Sequence, residues 1–154
     1  MSGQFARHLD DLLSETFTLV MKVEETTIET IEDLDLSISE IHLVEAIGRN
    51  KRQQKTISEI AAALDVTLPS VTVAINKLVK KGYVEKKRGA EDGRTVFVSL
   101  TRLGHKVDLA HSYFHAQMNR DIACGFTETE KEVMISAMSK LNRFLKQKLE
   151  EMTS

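Results

Sequence analysis

The sequence predicts a mainly α fold with one small β-hairpin, and three observations predict it. Apolar residues recur at helical spacing along most of the 154 residues. Three Ser/Thr-x-x-Glu patterns, "SISE", "TISE" and "TETE", mark helix starts. Between residues 83 and 100 the pattern changes to two short runs rich in β-branched and aromatic side chains.

A first helix is expected over residues 4–31, where Phe5, Leu9, Leu12, Leu13, Phe17, Val20, Ile28 and Ile31 keep a helical period. Ser37 to Glu40 is a capping box, in which the serine bonds the third amide and the glutamate reaches back. The helix it opens buries Ile41, Val44 and Ile47 and stops at Gly48. Thr56 to Glu59 opens a short helix with Ile57, Ile60, Ala61 and Leu64 inward. "DVTLPS" then reads as a tight turn into another helix, with Thr67 as N-cap. Pro69 is tolerated in that first turn, where its missing N–H has no partner to lose. Gly82 is a natural C-terminal cap. "YVEKKRG" and "RTVFVSL", separated by "AEDG", read as a hairpin with a polar turn. Thr101 begins a helix with Leu103, Val107, Ala110, Phe114 and Met118 on one face, ending at Gly125. Thr127 to Glu130 opens the last helix, which carries Met134, Ala137, Met138, Leu141, Leu145 and Leu149.

Composition narrows the function classes. Hydrophobic residues make up 42% and charged residues 29%, ordinary for a globular chain of one domain. No apolar run approaches the roughly 20 residues of a membrane span. The N-terminus shows no secretory signal, and a single cysteine, Cys124, forms no internal disulfide. A cytoplasmic protein without membrane partners is expected. The net charge of −2 hides an asymmetry. Residues 1–48 hold eleven acids against two bases, whereas residues 77–106 hold nine bases against three acids. A basic middle in an acidic chain points to a local polyanion contact.

Two helices joined by a short turn and followed by a basic hairpin make a winged helix-turn-helix, whose second helix lies in a DNA major groove. In "TLPSVTVAINKLVKKG", Val71, Ile75 and Leu78 face the core. Ser70, Thr72, Val73, Asn76 and Lys77 fall on or near the other face. Hydroxyl and amide groups there bond base edges or phosphates, and Val73 suits a thymine methyl. Lys80 and Lys81 sit where the DNA backbone would pass. The hairpin tip offers Lys86, Lys87, Arg88 and Arg94, and a guanidinium there suits a minor groove. A winged helix used only for protein contacts is the alternative from another class.

Over nearly its whole length the chain resembles the MarR family of transcriptional regulators. The pattern D-x-R…V-x-L-T-x-x-G, here Asp92, Arg94, Val98, Leu100, Thr101 and Gly104, carries much of the likeness. The resemblance implies that Arg94 is the minor-groove residue of the wing tip and that Asp92 holds the tip. Val73 stands where many relatives carry an arginine, so base reading here leans on small polar and apolar contacts. "VEE", "SISEIHLVEAIG", "VTLPSVTVAINKL" and "HSYFHAQM" are similar to the fatty-acid-synthesis repressors of Gram-positive bacteria. That likeness implies acylated acyl carrier protein as a co-repressor. The family resemblance also implies a homodimer. The first and last helices, about 28 and 25 residues and roughly 40 Å each, would leave apolar ends bare without a partner. The expected organisation is a winged helix-turn-helix plus long terminal dimerisation helices. Residues 36–100 are the DNA-binding region, and residues 1–35 and 101–154 the dimerisation region, in one intertwined domain.

The segment "HSYFH" puts His111 and His115 four apart on one helical face, a spacing at which two imidazoles share a metal. It lacks the adjacent glutamate of H-E-x-x-H, and no G-x-S-x-G or phosphate loop is present, so no enzyme is expected. Cys124 reads as a packed thiol. Some zinc-responsive members of the resembled family use a first-helix carboxylate, a second-helix histidine and a His-x-x-x-His pair. Glu24, His42, His111 and His115 match that set. No cofactor is required by this reading, and zinc stays open beside plain polar side chains lining a cleft. Phe17, Val20, Val44 and Phe114 are candidates for an acyl-chain pocket, with simple core as the alternative.

Overall fold

Capping boxes set the start of three helices. The structure, a computed structural model, describes residues 2–29, 34–49, 55–89 and 95–153. Ser37 Oγ accepts the Glu40 amide at 3.3 Å while Glu40 Oε2 accepts the Ser37 amide at 2.9 Å, opening a helix at Ile38–Gly48. Thr56 and Glu59 repeat the exchange at 3.2 and 2.7 Å ahead of Ile57–Leu64. Thr127 and Glu130 do so at 3.4 and 2.8 Å ahead of Glu128–Thr153. The two amide and hydroxyl donors of Thr127 hold the Glu130 carboxyl below its ordinary range. In chain order the elements are α1 (Ser2–Glu29), α2 (Ile38–Gly48), β1 (Lys55–Thr56), α3 (Ile57–Leu64), α4 (Leu68–Lys80), β2 (Val84–Arg88), β3 (Val96–Leu100), α5 (Arg102–Cys124) and α6 (Glu128–Thr153). Ile31, placed in the first helix by its period, lies outside the described residues.

The chain divides into two compact units, Met1–His111 and Ser112–Ser154, so the division falls inside α5. In the first unit the core joins Ile41, Val44 and Ile47 of α2, Ile60 of α3, Val71, Ile75 and Leu78 of α4, and Val98 and Leu100 of β3. Each such side chain contributes about 1.5–3 kcal/mol on leaving water. Asp65 turns the backbone left-handed at φ 52°, and Thr67 then caps α4. Together they turn α4 through 113° from α3, within the range of a helix-turn-helix. Gly82, at φ 80°, releases the chain from α4 into β2.

The sheet is antiparallel in the order β1-β3-β2. Strand β1 goes beyond the expected hairpin. Two residues are too short to show a period, and Thr56 is both strand end and helix cap. The register pairs Val84 with Leu100, Lys86 with Val98 and Arg88 with Val96, which puts these residues on one sheet face.

Helix α5 differs from its expected face. Its buried positions are Gly104, Val107 and His111, whereas Leu103 and Ala110 are exposed. The reason is how α5 begins. Thr101 N–H donates to the Tyr83 carbonyl at 3.0 Å, and its hydroxyl donates to the Gly82 carbonyl at 2.7 Å. Gly104 N–H donates to Thr101 Oγ1 at 3.2 Å. Gly104 rests so closely on the Tyr83 carbonyl that a Cβ there would overlap it. That contact selects the inward face, and an apolar period does not reveal it.

The long helices present their apolar faces outward. On α1, Phe5 and Phe17 are 69% and 70% exposed, and Leu9, Leu12, Leu13 and Val20 are exposed as well. Within the second unit, Met138, Leu145 and Leu149 of α6 are more than half exposed. Among the described residues no single helix is long and apolar enough to cross a membrane.

Gly104→Ala should cost about 2 kcal/mol or more through overpacking against backbone. Gly3→Ala, with nothing within 4 Å, should leave stability unchanged or raised by about 0.5–1 kcal/mol through helix propensity. Urea midpoints at one fixed protein concentration check both, and equal midpoints would contradict the tight seat of α5.

Candidate nucleic-acid interface and buried histidine cluster

Helix α4 presents two unlike faces. Val71, Ile75 and Leu78 are buried, and this fixes Ser70, Val73, Asn76 and Lys77 outward with Thr72 half-buried. Thr67 Oγ1 accepts the Ser70 amide at 3.4 Å, and the two hydroxyls lie 2.8 Å apart. The Thr72 hydroxyl donates to the Leu68 carbonyl at 2.7 Å, which leaves its oxygen as an acceptor toward the outside. Asn76 Oδ1 accepts a hydrogen bond from Lys86 Nζ of β2 at 2.6 Å. A groove beside this face is lined by Ser37, Ser39, Glu40, Pro69, Ser70, Val73, Ala74 and Lys77.

The cations divide by partner. Lys77 and Lys80 stand in the last turn of α4 with exposed side chains. Lys81, expected beside the DNA backbone, is engaged inside the protein. Its ammonium donates to the Asp35 carbonyl at 2.8 Å and to Glu40 Oε2 at 3.0 Å. The bond to Glu40 raises the Lys81 pKa. Burial pushes the Glu40 carboxyl up, but the Ser37 amide and the Lys81 ammonium together hold it below its ordinary range. Lys87 pairs with Glu85 at 2.7 Å, and Ser99 Oγ donates to the same carboxylate oxygen at 3.1 Å. Lys87 first, then Ser99, holds the Glu85 carboxyl low. Arg88 is exposed at the end of β2. Asp92 and Arg94, the expected wing-tip residues, lie outside the described residues.

The first unit also gathers a polar cluster from three helices. Glu24 of α1 and His111 of α5 are buried, at 5% and 6% exposure, and His42 of α2 is half-buried. His42 Nε2 lies 3.3 Å from Glu24 Oε2, and the rings of His42 and His111 are 5.6 Å apart. One ligand atom from each of Glu24, His42 and His111 lies within 4.8 Å of the other two. Glu45 approaches His111 Nδ1 at 3.9 Å and pairs with Arg49 at 2.6 Å. Burial, then the charge of Glu45, pushes the neighbouring Asp108 carboxyl above its ordinary range. Two imidazole nitrogens and a carboxylate oxygen are a donor set that fits zinc. His115 belongs to the second unit, where its ring meets Phe114 edge-on at 5.4 Å.

The expected pocket residues occupy different environments. Val44 is fully buried in the core, Phe17 and Val20 are exposed on α1, and Phe114 is half-buried in the second unit. The contacts missed from sequence are Lys86 on Asn76, Lys81 on Glu40, and Glu45 and Asp108 beside the cluster. Strand alternation carries a signal for the first, because Lys86 shares a sheet face with Val84 and Val98.

Comparison with known proteins accords with this geometry. The MarR family profile matches residues 34–95. The chain is 32% identical to FabT of Streptococcus pneumoniae, solved in complex with DNA, with a TM-score of 0.87 over 92% of this chain and 98% of that one. It is 27% identical to the transcriptional regulator AdcR of Streptococcus pneumoniae over 85% of this chain and 90% of that protein. It is also 27% identical to the transcriptional regulator BilQ of Clostridium symbiosum, covering 86% of each. With the winged helix-turn-helix and these relatives together, the chain belongs to the MarR family, as a DNA-binding transcriptional regulator and not an enzyme.

Proposed function

We propose that the chain is a sequence-specific repressor that acts as a twofold homodimer in the cytoplasm. Helix α4 enters the major groove, and the hairpin of β2 and β3 tracks the adjacent minor groove. The observation that carries this is the partition of α4. One face is fixed in the core, and the opposite face offers hydroxyl, amide, methyl and ammonium groups, the chemistry that contacts bases and phosphates. The uncovered apolar faces of α1 and α6 support the dimer. A twofold axis would present two copies of α4 about one DNA turn, roughly 34 Å, apart. Thr67, Ser70, Thr72, Val73, Asn76 and Lys77 serve as the helix contacts. Lys87, Arg88, Asp92 and Arg94 serve the wing.

The regulated process in this reading is fatty-acid synthesis, with acylated acyl carrier protein as co-repressor. The stretches "SISEIHLVEAIG", "VTLPSVTVAINKL" and "HSYFHAQM" support it. A second reading, a zinc-responsive regulator of metal uptake, is favoured by the cluster of Glu24, His42 and His111. In that case the carboxylate and two imidazoles would hold the ion. The ion would supply a positive charge tying α1, α2 and α5 together. Without it, His42 remains the polar neighbour of the buried Glu24 side chain, at 3.3 Å.

Selection from a randomised pool of double-stranded DNA should recover a two-half-site sequence, bound less tightly as salt rises. Arg94→Ala should weaken binding to all sequences alike, whereas Thr72→Ala should change base preference. Recovery of no enriched sequence at any ionic strength would refute the repressor reading. Long-chain acylated acyl carrier protein, titrated into a protein–DNA mixture, should tighten the complex; unchanged affinity removes the co-repressor. For the metal reading, untagged protein reconstituted with zinc should hold about one ion per subunit, lost in His42→Ala. Substoichiometric zinc in the unsubstituted protein eliminates that reading.

A further inference from the structure

The sheet register determines where Lys86 goes. Lys86 is opposite Val98, and directly opposed residues project from the same sheet face. Val98 is fully buried, so Lys86 leaves β2 on the core side, the side that carries α4. Glu85 and Lys87 leave on the other side and pair there with each other. The long stem of Lys86 brings its ammonium out to the surface at Asn76, with 2.6 Å between Nζ and Oδ1. An ammonium has donors only, so the atom it meets on the amide is the oxygen. A charge-assisted bond of this length is among the stronger surface contacts.

This fixes the face that Asn76 turns outward. An asparagine that reads adenine uses both ends of its amide, accepting from N6–H and donating to N7. With one lone pair of Oδ1 engaged and the oxygen turned toward Lys86, the end of the amide best placed for DNA is the –NH₂, a pure donor. Guanine presents N7 and O6 and thymine presents O4, all acceptors, so each suits it. The neighbouring positive charge adds to this preference, because it attracts base acceptors and repels base amino groups.

We infer that Lys86 is a specificity-determining positioning residue, which holds the Asn76 amide so that α4 favours an acceptor base edge over adenine at that position. The inference rests on the proposed placement of α4 in the major groove. The experiment compares the full-length chain with Lys86→Met, Lys86→Arg and Asn76→Ala in selections from a randomised double-stranded pool. Affinities for single-base variants of the selected site follow, across a range of salt concentrations. In Lys86→Met, adenine should gain on the order of tenfold relative to guanine or thymine at one base pair per half-site. Lys86→Arg, which keeps a charged donor, should retain the original preference. Asn76→Ala should flatten preference at that same base pair, and adding Lys86→Met to it should change nothing further there. A uniform loss over all sequences in Lys86→Met, with a salt slope shallower by about one and preference intact, makes Lys86 a phosphate contact and overturns the inference. Unchanged preference in Asn76→Ala overturns it at its other end, while leaving the repressor reading standing. A failure of the unsubstituted chain to select any sequence defeats the repressor reading itself.

Discussion

Burial of one side of α4 is the constraint on which the rest depends. Val71, Ile75 and Leu78 lie in the core, and each helps to fix both the axial position and the rotation of the helix. Rotation decides which groups face outward, since neighbouring positions on a helix differ by about 100°. The ends are fixed by different chemistry. Asp65 and Thr67 set the entry, and Gly82 sets the exit. Lys81 adds a tether across sequence, from the end of α4 to Asp35 and Glu40 at the start of α2. A recognition surface built this way is rigid because its back is packed, and its front can be polar without cost to the core.

Much of this was legible in the sequence because it is local. A capping box is three residues long, and all three expected boxes formed with both of their bonds. The expected inward residues of α2, α3 and α4 face inward, and only Leu43, buried in α2, escapes the period. The same logic held on α5 for Val107 but not for Leu103 and Ala110. Its inward face is chosen by the meeting of Gly104 with the Tyr83 carbonyl, and glycine has no hydrophobic signature. The apolar residues Leu103 and Ala110 therefore looked inward by period and are exposed instead. On α1 the period is real, but in the single chain most of the stripe is exposed; Ile28 packs against the core, and Glu24 is buried.

The polar cluster shows how far a motif reaches. The pair His111 and His115 drew notice through spacing within one helix. What the structure brings together is His111 with Glu24 and His42, residues separated by long stretches of sequence. Nothing about the histidine spacing specifies those partners; the packing of α1, α2 and α5 does. Glu45 and Asp108 extend the acidic surroundings, and Asp108 is raised by burial and by Glu45 in consequence. The cluster is thus an electrostatic junction of three helices, with or without an ion. His42 meets Glu24 at 3.3 Å, and His111 lies 3.9 Å from Glu45.

The same distinction between residues and partners applies to the basic segment. Nine bases in residues 77–106 suggest a broad field aimed at phosphate. The geometry divides them. Lys81 is committed to Glu40, Lys87 to Glu85, and Lys86 to an amide oxygen. An ion pair at the surface is weak, and a phosphate can compete for its cation. Such an exchange would leave the partner carboxylate, Glu40 or Glu85, unpaired. Lys86 differs because its partner is neutral, so its charge remains whole while its direction is fixed. Formal charge therefore overstates the attraction of this surface for DNA in general. The cations that are held in place serve geometry, and geometry is what separates one DNA sequence from another.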